Sequence, residues 1–281
     1  MRLEELRNRI EEIYNSSEKG RPEDFGELFA AFLELLESGR IRAAEPESSG
    51  TWRVNHWVKE GILLGFRFGV MEDFSLDNGF NYFDKSTYPL RDSSLDSGIR
   101  IVPGGTSIRS GSYVAPGVVI MPPAYVNTGA WVGADTMIDS HALVGSCAQV
   151  GERVHLSAAA QIGGVLEPIG ASPVVIEDDV IIGGNSGIYE GITVKKGAVI
   201  GAGTVLTASV PIYDLVHGER LKVERGQSLI IPENAVVVPG SRPMVSSDYA
   251  VENNLQINCG LIIKYRDEKT DAATALEELL R

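Results

Sequence analysis

One aspartate interrupts a regular pattern of glycines in the middle of the chain, and it is the first residue to consider for chemistry. Asp139 directly follows the aliphatic Ile138, whereas Gly133, Gly145 and Gly151 hold the equivalent place in neighbouring repeats. A positioned carboxylate can accept or donate a proton during a reaction. The alternative interpretation is an aspartate that only occupies a turn at the surface.

Histidine and cysteine, which often carry catalysis or bind metals, are few in this chain. The two cysteines, Cys147 and Cys259, are too few for a disulfide framework or a four-thiolate zinc site. We expect both thiols to be reduced and buried. The four histidines, at positions 56, 141, 155 and 217, include no close pair, so we predict no metal site.

The out-of-pattern aspartate lies within a repeat of six residues. Six equals three strand periods, so one short strand and a bend per hexapeptide would form one side of a triangular prism. The aliphatic residue would fill the interior, a small residue four positions later would fit a tight corner, and glycine would supply backbone freedom at the bend. The repeat shows as an aliphatic residue at every sixth position from 102 to 162 and again from 176 to 212.

The repeats predict a parallel β-helix of about 5.7 coils and a length of about 27 Å. Their phase breaks between Glu167 and Val175, where eight extra residues predict an external loop over 167–175. A loop inserted into a regular solenoid often carries function. A neutral insertion is the alternative.

The flanks of the repeat region predict other elements. Amphipathic patterns predict helices over 3–14 and 25–39, a further apolar stretch covers 56–70, and the polar segment 73–97 is typical of a linker or loop. Strands are predicted at 229–238 and 261–265, with a terminal helix at 272–280. The fold class is therefore mainly β, with a helical N-terminal domain (1–98), a β-helix (99–215) and a strand and helix cap (216–281).

Composition excludes several classes of function. A net charge of −13 argues against binding to nucleic acid phosphates. No run approaches the roughly 18 apolar residues that a membrane span requires. The charged, helical N-terminal pattern lacks a secretion signal, so a cytoplasmic location is expected.

The hexapeptide pattern resembles that of the left-handed β-helix acyltransferase superfamily. The left hand rests on this resemblance alone, because general crossover rules favour the right hand. Within the superfamily, residues 138–184, with VGSCAQVG, VHLS and IGGVLEP, are similar to the central segment of tetrahydrodipicolinate N-succinyltransferases. The resemblance extends over nearly the whole chain and includes NYFDK (81–85), IRIVPGG (99–105), IYEG (188–191) and VVVPGSR (236–242).

This resemblance implies a homotrimer with active sites in the grooves between neighbouring prisms. Succinyl-CoA, a co-substrate and not a permanent cofactor, would donate its acyl group to the amine of ring-opened tetrahydrodipicolinate in lysine and diaminopimelate synthesis. N-acetyl transfer to the same acceptor and a non-catalytic β-helix scaffold remain alternatives. A γ-type carbonic anhydrase, built on the same prism, is disfavoured by the scattered histidines.

The resemblance also implies roles for particular residues. Asp139 would bind the amino-acid substrate and act as the base, and Arg100 would pair with a substrate carboxylate. The family carries a second carboxylate in a motif resembling R-S-E-V-V-E-G, where this chain reads NSGIYEG (185–191). Gly187 replaces that glutamate, whereas Glu190 keeps the later one and becomes the second candidate catalytic residue.

Coenzyme A would lie along the groove, with its pantetheine arm bonded to the backbone of the last coils. Small residues allow such close approach, and the candidates for cofactor binding are Gly163, Gly164, Ala202 and Gly203. A tight prism needs small residues at these places in any case. His141 and His155 are interpreted as packed or hydrogen-bonded residues and not as bases.

Overall fold

The computed structural model describes residues 2–17, 20–76, 79–89, 91–222 and 228–266. Within these ranges, helices come first, a column of short parallel strands follows, and longer strands end the chain. No helix in these ranges is long and apolar enough to cross a membrane. The same residues contain no group of three or more His, Cys, Asp or Glu side chains that could hold a metal ion.

Three amphipathic helices form the N-terminal part: α1 (Leu3–Asn15), α2 (Phe25–Glu37) and α3 (His56–Phe68). The first two confirm the helices predicted at 3–14 and 25–39, and the third accounts for the apolar stretch at 56–70. Their apolar faces share one core. Aromatic rings dominate it, and these belong to Phe25, Phe29, Phe32, Trp57, Phe68 and Tyr88.

Two hairpins accompany the helices. Strands β1 (Ala44–Pro46) and β2 (Trp52–Val54) form the first, and β3 (Met71–Asp73) and β4 (Phe83–Lys85) form the second. A 3₁₀ turn follows at Leu95–Ser97. The prediction that 73–97 is only linker or loop was therefore wrong for β4, because a three-residue strand is too short to show a period of two.

The repeat region forms seventeen strands of two residues each. They are β5 (Arg100–Ile101), β6 (Ser107–Ile108), β7 (Tyr113–Val114), β8 (Val119–Ile120), β9 (Tyr125–Val126), β10 (Trp131–Val132), β11 (Met137–Ile138), β12 (Leu143–Val144), β13 (Gln149–Val150), β14 (His155–Leu156), β15 (Gln161–Ile162), β16 (Val175–Ile176), β17 (Ile181–Ile182), β18 (Gly187–Ile188), β19 (Thr193–Val194), β20 (Val199–Ile200) and β21 (Val205–Leu206).

Each strand pairs in parallel with the strand that lies three places later in the chain. The strands therefore build three flat sheets around a triangular column. Face A contains β5, β8, β11, β14, β17 and β20; face B contains β6, β9, β12, β15, β18 and β21; face C contains β7, β10, β13, β16 and β19. Trp131 pairs with Gln149, 18 residues on, whereas Gln149 pairs with Val175, 26 residues on. The difference confirms the predicted eight-residue insertion. In each coil the chain turns three times: from face A to face B at the A/B corner, from face B to face C at the B/C corner, and from face C to face A of the next coil at the C/A corner.

The interior of the column is built as predicted from aliphatic and small residues. The second residue of nearly every strand is buried, as Ile120 and Val132 illustrate. The residue that precedes most of these strands is buried as well, for example Ala148. Where that residue is Thr136, its hydroxyl donates a hydrogen bond to the Gly151 carbonyl at 2.9 Å, which offsets the cost of burying it.

The glycines that follow the aliphatic residues have a different role from the predicted one. Gly133 and its equivalents do not have positive φ angles. Positive φ occurs instead at the third residue after the aliphatic position, for example at Asp135 and Cys147. A Cβ on Gly133 would lie 2.6 Å from both the carbonyl carbon and oxygen of Gly151 on the next coil. These glycines therefore permit close stacking of coils, and the prediction of backbone freedom was wrong.

We predicted that the repeat begins at Val102, but in the structure it begins at Ile101. Ile101 is the register partner of Ile120, 19 residues on, and the Val102 amide donates to the Ile120 carbonyl at 3.0 Å. The first turn thus holds one extra residue, which Gly104 and Gly105 accommodate with φ of 144° and 93°. Periodicity missed this shift because both candidate positions are aliphatic.

The C-terminal part leaves the column and returns to it. Its elements are β22 (Ile212–Asp214), β23 (Glu219–Arg220), β24 (Ile230–Ile231), β25 (Ala235–Pro243), α4 (Asp248–Glu252) and β26 (Gln256–Tyr265). Strand β24 pairs with β19 on face C, and β25 pairs with β20 on face A, so both extend the column. The single strand predicted at 229–238 was therefore wrong, because the structure divides it into β24 and β25 on different faces. The strand predicted at 261–265 is longer than expected, because β26 pairs with β25 in an antiparallel ribbon. The predicted helix at 272–280 lies outside the described residues.

The N-terminal part packs on face C. The Arg42 guanidinium lies 3.8 Å from the ring centroid of Trp131 and donates to the Gln149 Oε1 at 2.7 Å. The outward residues of face C, such as Gln149 and Val175, are consequently buried. The A/B corner lies on the opposite side of the triangle.

A buried carboxylate ties together the strands at the end of the column. Asp214 Oδ2 accepts hydrogen bonds from His217 Nδ1 and from the Tyr265 hydroxyl, both at 2.7 Å. Burial favours a higher pKa for Asp214, but the bonds from His217 and Tyr265 outweigh it and lower the pKa to about 2. The hydrogen bond to Asp214 raises the pKa of His217.

We expect the thermal stability to decrease as the pH rises above about 6.5, the pKa of an unfolded histidine. The folded pKa of His217 is the higher one, so its stabilising charge is complete below that pH and is lost through the folded pKa. Asp214 adds stability above about pH 3.9, which is lost as the pH falls towards 2. Melting curves of wild type, His217→Asn and the exposed control His141→Asn between pH 5.5 and 8.5 test this. Equal pH dependence in all three proteins would contradict the expectation.

Candidate functional site

Asp139 lies at the A/B corner, directly after β11, and is half-buried. Its Oδ1 accepts a hydrogen bond from the Ser140 amide at 2.6 Å. Its Oδ2 forms no hydrogen bond with any other residue that the structure describes. The carboxylate is thus held from one side and keeps one oxygen for a substrate.

Ala202 and Gly203 lie on the same A/B corner, as the second and third residues after β20. Three coils separate them from Asp139, which corresponds to about 14 Å along the column. Both residues are exposed, and a Cβ on Gly203 would meet nothing within 4 Å. The coils between them present small residues at this corner, and we call the whole series the A/B strip: Asp139, Ser157, Ala158, Gly183, Gly184, Ala202 and Gly203.

Gly163 and Gly164 lie elsewhere, at the B/C corner after β15. A Cβ on Gly163 would lie 2.7 Å from the Tyr189 ring, and one on Gly164 would lie 2.6 Å from the Ser146 amide nitrogen. The space that these glycines leave is therefore filled by the chain itself. The structure does not bring them to the A/B strip.

Arg100 and Glu190 are also apart from Asp139 within one chain. Arg100 is exposed on face A in β5, two coils and about 10 Å along the column from β11. Glu190 is exposed at the B/C corner after β18, where its Oε2 accepts a hydrogen bond from the Ala208 amide at 2.8 Å. Their assignment to the site stays a prediction.

Tyr189 is a residue of the region that sequence reasoning missed. Gly187 opens β18, and a Cβ at this position would lie 2.7 Å from the Tyr189 hydroxyl oxygen. The tyrosine ring thus covers the place where a side chain at position 187 would begin. Residues two apart in an extended chain share a face, so the spacing of Gly187 and Tyr189 was a usable signal.

The two histidines of the column differ in exposure. His155 is half-buried in β14, whereas His141 is exposed on the A/B corner, two residues after Asp139. The prediction that both are packed or hydrogen-bonded was wrong for His141, because the third residue after an aliphatic position, here at φ 64°, forms the apex of the corner. Cys147 and Cys259 are free and buried, as predicted.

The inserted segment 167–175 is held by a buried lysine of α3. Lys59 is fully buried, and its Nζ donates hydrogen bonds to the carbonyls of Pro168, Ile169 and Ala171 at 3.1, 3.0 and 2.8 Å. Burial lowers the pKa of Lys59. The next carbonyl, that of Ser172, would lie 2.6 Å from a Cβ on Gly191, so the segment is packed against the Glu190 turn.

We expect Lys59→Met to lower the free energy of unfolding by about 1–3 kcal/mol, since three partly buried carbonyls lose their donor. The amides of residues 169–172 should exchange faster with deuterium because the segment loses its tie to α3. The exposed Lys222→Met provides the matched control and should change neither quantity. Unchanged exchange at 169–172 in Lys59→Met would rule out this tie.

Two family models match the chain. The model for the N-terminal domain of tetrahydrodipicolinate N-succinyltransferase matches residues 5–68, and the model for the hexapeptide repeat of succinyl-transferase matches residues 173–208. The first range covers most of α1 and all of α2 and α3, and the second begins near the end of the inserted segment.

Curated relatives match over the full length. The 2,3,4,5-tetrahydropyridine-2,6-dicarboxylate N-succinyltransferase of Granulibacter bethesdensis is 44% identical over 293 residues, with 100% of both chains covered. The enzyme of the same name from Nitrosospira multiformis is 42% identical over 288 residues, covering 99% of each. A solved hexapeptide-repeat acetyltransferase from Vibrio cholerae has a TM-score of 0.31 at 20% identity, covering 43% of this chain and 65% of that one. The identity and coverage of the curated relatives show that the chain belongs to the tetrahydrodipicolinate N-succinyltransferase family.

Proposed function

We propose that this chain transfers the succinyl group of succinyl-CoA to the amine of ring-opened tetrahydrodipicolinate, a step of lysine and diaminopimelate synthesis. The observation that carries the proposal is the full-length similarity to enzymes of that name, at 44% identity in the first of them. An acyl-CoA is therefore the co-substrate, and the acceptor is a small dicarboxylic amine.

In the proposed reaction Asp139 accepts a proton from the substrate ammonium group. The free amine then attacks the thioester carbonyl, a C–N bond forms as the C–S bond breaks, and the thiolate of CoA takes up the proton that the nitrogen loses as it becomes an amide. Asp139 suits the role because its Oδ1 is fixed by the Ser140 amide while its Oδ2 remains open. Glu190 is the weaker candidate, since its carboxylate is engaged by the Ala208 amide.

For the acyl-CoA we propose the A/B strip. An extended pantetheine arm fits a surface of small residues that ends at a carboxylate, and Ala202 and Gly203 lie exposed at its far end. Gly163 and Gly164 are less suited to contact the same CoA, because they lie at the B/C corner and not on the A/B strip.

We further propose a cytoplasmic homotrimer of left-handed columns, with each site in the groove between neighbours. The hand, the trimer and the location rest on the family resemblance. The separation of Arg100, Glu190 and Asp139 within one chain supports a site completed by a second copy. Residues 1–98 are proposed as a separate N-terminal domain and 216–281 as a cap on the column.

The test is direct. Purified protein is mixed with tetrahydrodipicolinate and either succinyl-CoA or acetyl-CoA, and release of the CoA thiol is followed. We expect faster turnover with succinyl-CoA. A preference for acetyl-CoA would identify acetyl-CoA, and not succinyl-CoA, as the donor. No turnover with either donor would reject acyl transfer to this acceptor.

A further inference from the structure

A cavity of about 370 Å³ lies between the first hairpin and the C/A corner of the column. Pro46 and Trp52 of the hairpin form one wall. Gly151 and Asp178, which follow β13 and β16 at this corner in successive coils, belong to the opposite wall. The volume is sufficient for a small metabolite, and the cavity lies on a different edge of the column from the A/B strip.

Hydrogen bonds between the hairpin and the column fix the two walls. The Trp52 indole Nε1 donates to Glu177 Oε1 at 3.0 Å. Lys195 Nζ donates to the same carboxylate oxygen at 2.8 Å and also to the Gly50 carbonyl of the hairpin turn. The shape of the cavity is therefore determined by the fold itself.

Five ionisable side chains line the cavity, and they differ in how they are paired. Glu177 and Glu152 are hydrogen-bonded to cations of the chain, Lys195 and Arg153, both at 2.8 Å. Lys196 is exposed to water and lies 3.7 Å from an Asp179 oxygen. The two others, Arg42 and Asp178, are half-buried and have no hydrogen-bonded ion partner among the described residues.

Arg42 contributes the positive charge. Its guanidinium lies between the rings of Trp131 and Trp52, 3.8 and 5.2 Å from their centroids. Its Nε donates to Gln149, whereas its two terminal nitrogens form no hydrogen bond with any residue that the structure describes. Holding a guanidinium away from water without an anion is costly, so a carboxylate that accepts from both terminal nitrogens would stabilise it.

Asp178 contributes the negative charge. Its Oδ1 accepts a hydrogen bond from the Glu152 amide at 2.9 Å, whereas its Oδ2 lies 3.9 Å from Arg153, beyond hydrogen-bond distance. Burial lowers the pKa of Arg42 to about 10, although Glu45 and Asp178 raise it. Arg42 and Asp178 therefore attract each other across the cavity without forming an ion pair.

We propose that this cavity binds a free aliphatic amino acid. The α-carboxylate accepts hydrogen bonds from Arg42, whose planar fork matches it, and the α-ammonium donates to Asp178 Oδ2. One carbon atom carries both ligand charges, so a single small molecule bridges two protein charges that do not meet. The aliphatic side chain lies against the rings of Trp52 and Pro46, where it loses contact with water.

Calorimetric titration of the full chain with L-leucine tests this site. Two further probes each lack one charge: 4-methylpentanoate has no ammonium group, and 3-methylbutylamine has no carboxylate. Wild-type protein should bind L-leucine at least about tenfold more tightly than either of them, because each loses one charged hydrogen bond. No binding of L-leucine, or affinities for the two partial probes within twofold of it, would overturn the proposal.

Asp178→Asn tests the ammonium contact while keeping the size of the side chain and its bond from the Glu152 amide. L-Leucine should bind at least about tenfold more weakly, and its advantage over 4-methylpentanoate should fall below about threefold. A merely structural role of Asp178 would weaken both probes alike and preserve that advantage, which would contradict the assignment. The matched control is the exposed Asp135→Asn at the same corner, outside the cavity lining, and it should bind L-leucine as wild type.

Asp139→Asn separates this site from the proposed reaction centre. L-Leucine should bind to that variant as it does to wild type, whether or not the protein transfers an acyl group. If Asp139→Asn abolishes L-leucine binding and Asp178→Asn does not, the amino acid binds at the A/B strip and the cavity assignment is wrong.

Discussion

Replacement of Asp139 by asparagine is expected to lower kcat of the acyl transfer at least about a hundredfold, because general bases contribute about 10²–10⁴ to rate. The amide preserves the size of the side chain and can still accept a hydrogen bond from the Ser140 amide. The fold should therefore persist, and thiol release from succinyl-CoA measures the loss.

The control for this substitution is Asp135→Asn, on the neighbouring C/A corner. Asp135 is exposed at φ 58°, a backbone conformation that asparagine tolerates, and we expect near-normal rates in that variant. Rates within a few-fold of wild type in Asp139→Asn would remove this carboxylate from the mechanism. Glu190→Gln would then be the next variant to measure.

Gly133→Ala is expected to destabilise the column strongly. The new Cβ would lie 2.6 Å from the Gly151 carbonyl carbon and oxygen and 2.7 Å from the Glu152 amide nitrogen. These are backbone atoms of the stacked coil, so they move only if the coils separate. We expect a loss of about 3 kcal/mol in the free energy of unfolding, at the upper end for overpacking.

The matched control is Gly20→Ala, where a Cβ would meet nothing within 4 Å. That variant should change the free energy of unfolding by less than about 0.5 kcal/mol. Denaturant titration of the three proteins measures the difference. If Gly133→Ala lowers the free energy of unfolding by less than about 1 kcal/mol, the coils can separate to accommodate a methyl group at little cost in stability.

Much of the column was predictable because a short sequence repeat determines its structure. A period of six determines which side chains point inward, and the 26-residue step from Gln149 to Val175 matches the insertion read from the broken phase. The start of the repeat was not predictable, since Ile101 and Val102 are equally apolar. The glycine role was also missed, because a tight turn and a close approach of two coils both require glycine.

The candidate site was predictable only in part, because its residues meet through the stacking of coils. Asp139 stands out from its own repeat, and the structure brings Ala202 and Gly203 to the same corner. Lys59 gave no signal, since a lysine in an amphipathic helix normally faces water. Its three carbonyl partners lie more than a hundred residues away, and no local pattern connects them.

The order in which the column is completed has a consequence for its synthesis. The final coil needs β24 and β25, which follow β21 only after an excursion through β22 and β23. While a ribosome is still translating that excursion, the upper rim of the column presents unpaired amides and carbonyls to other nascent chains. Such open strand edges are templates for aggregation. The rim therefore stays open to pairing with another chain until residues 230–243 have emerged.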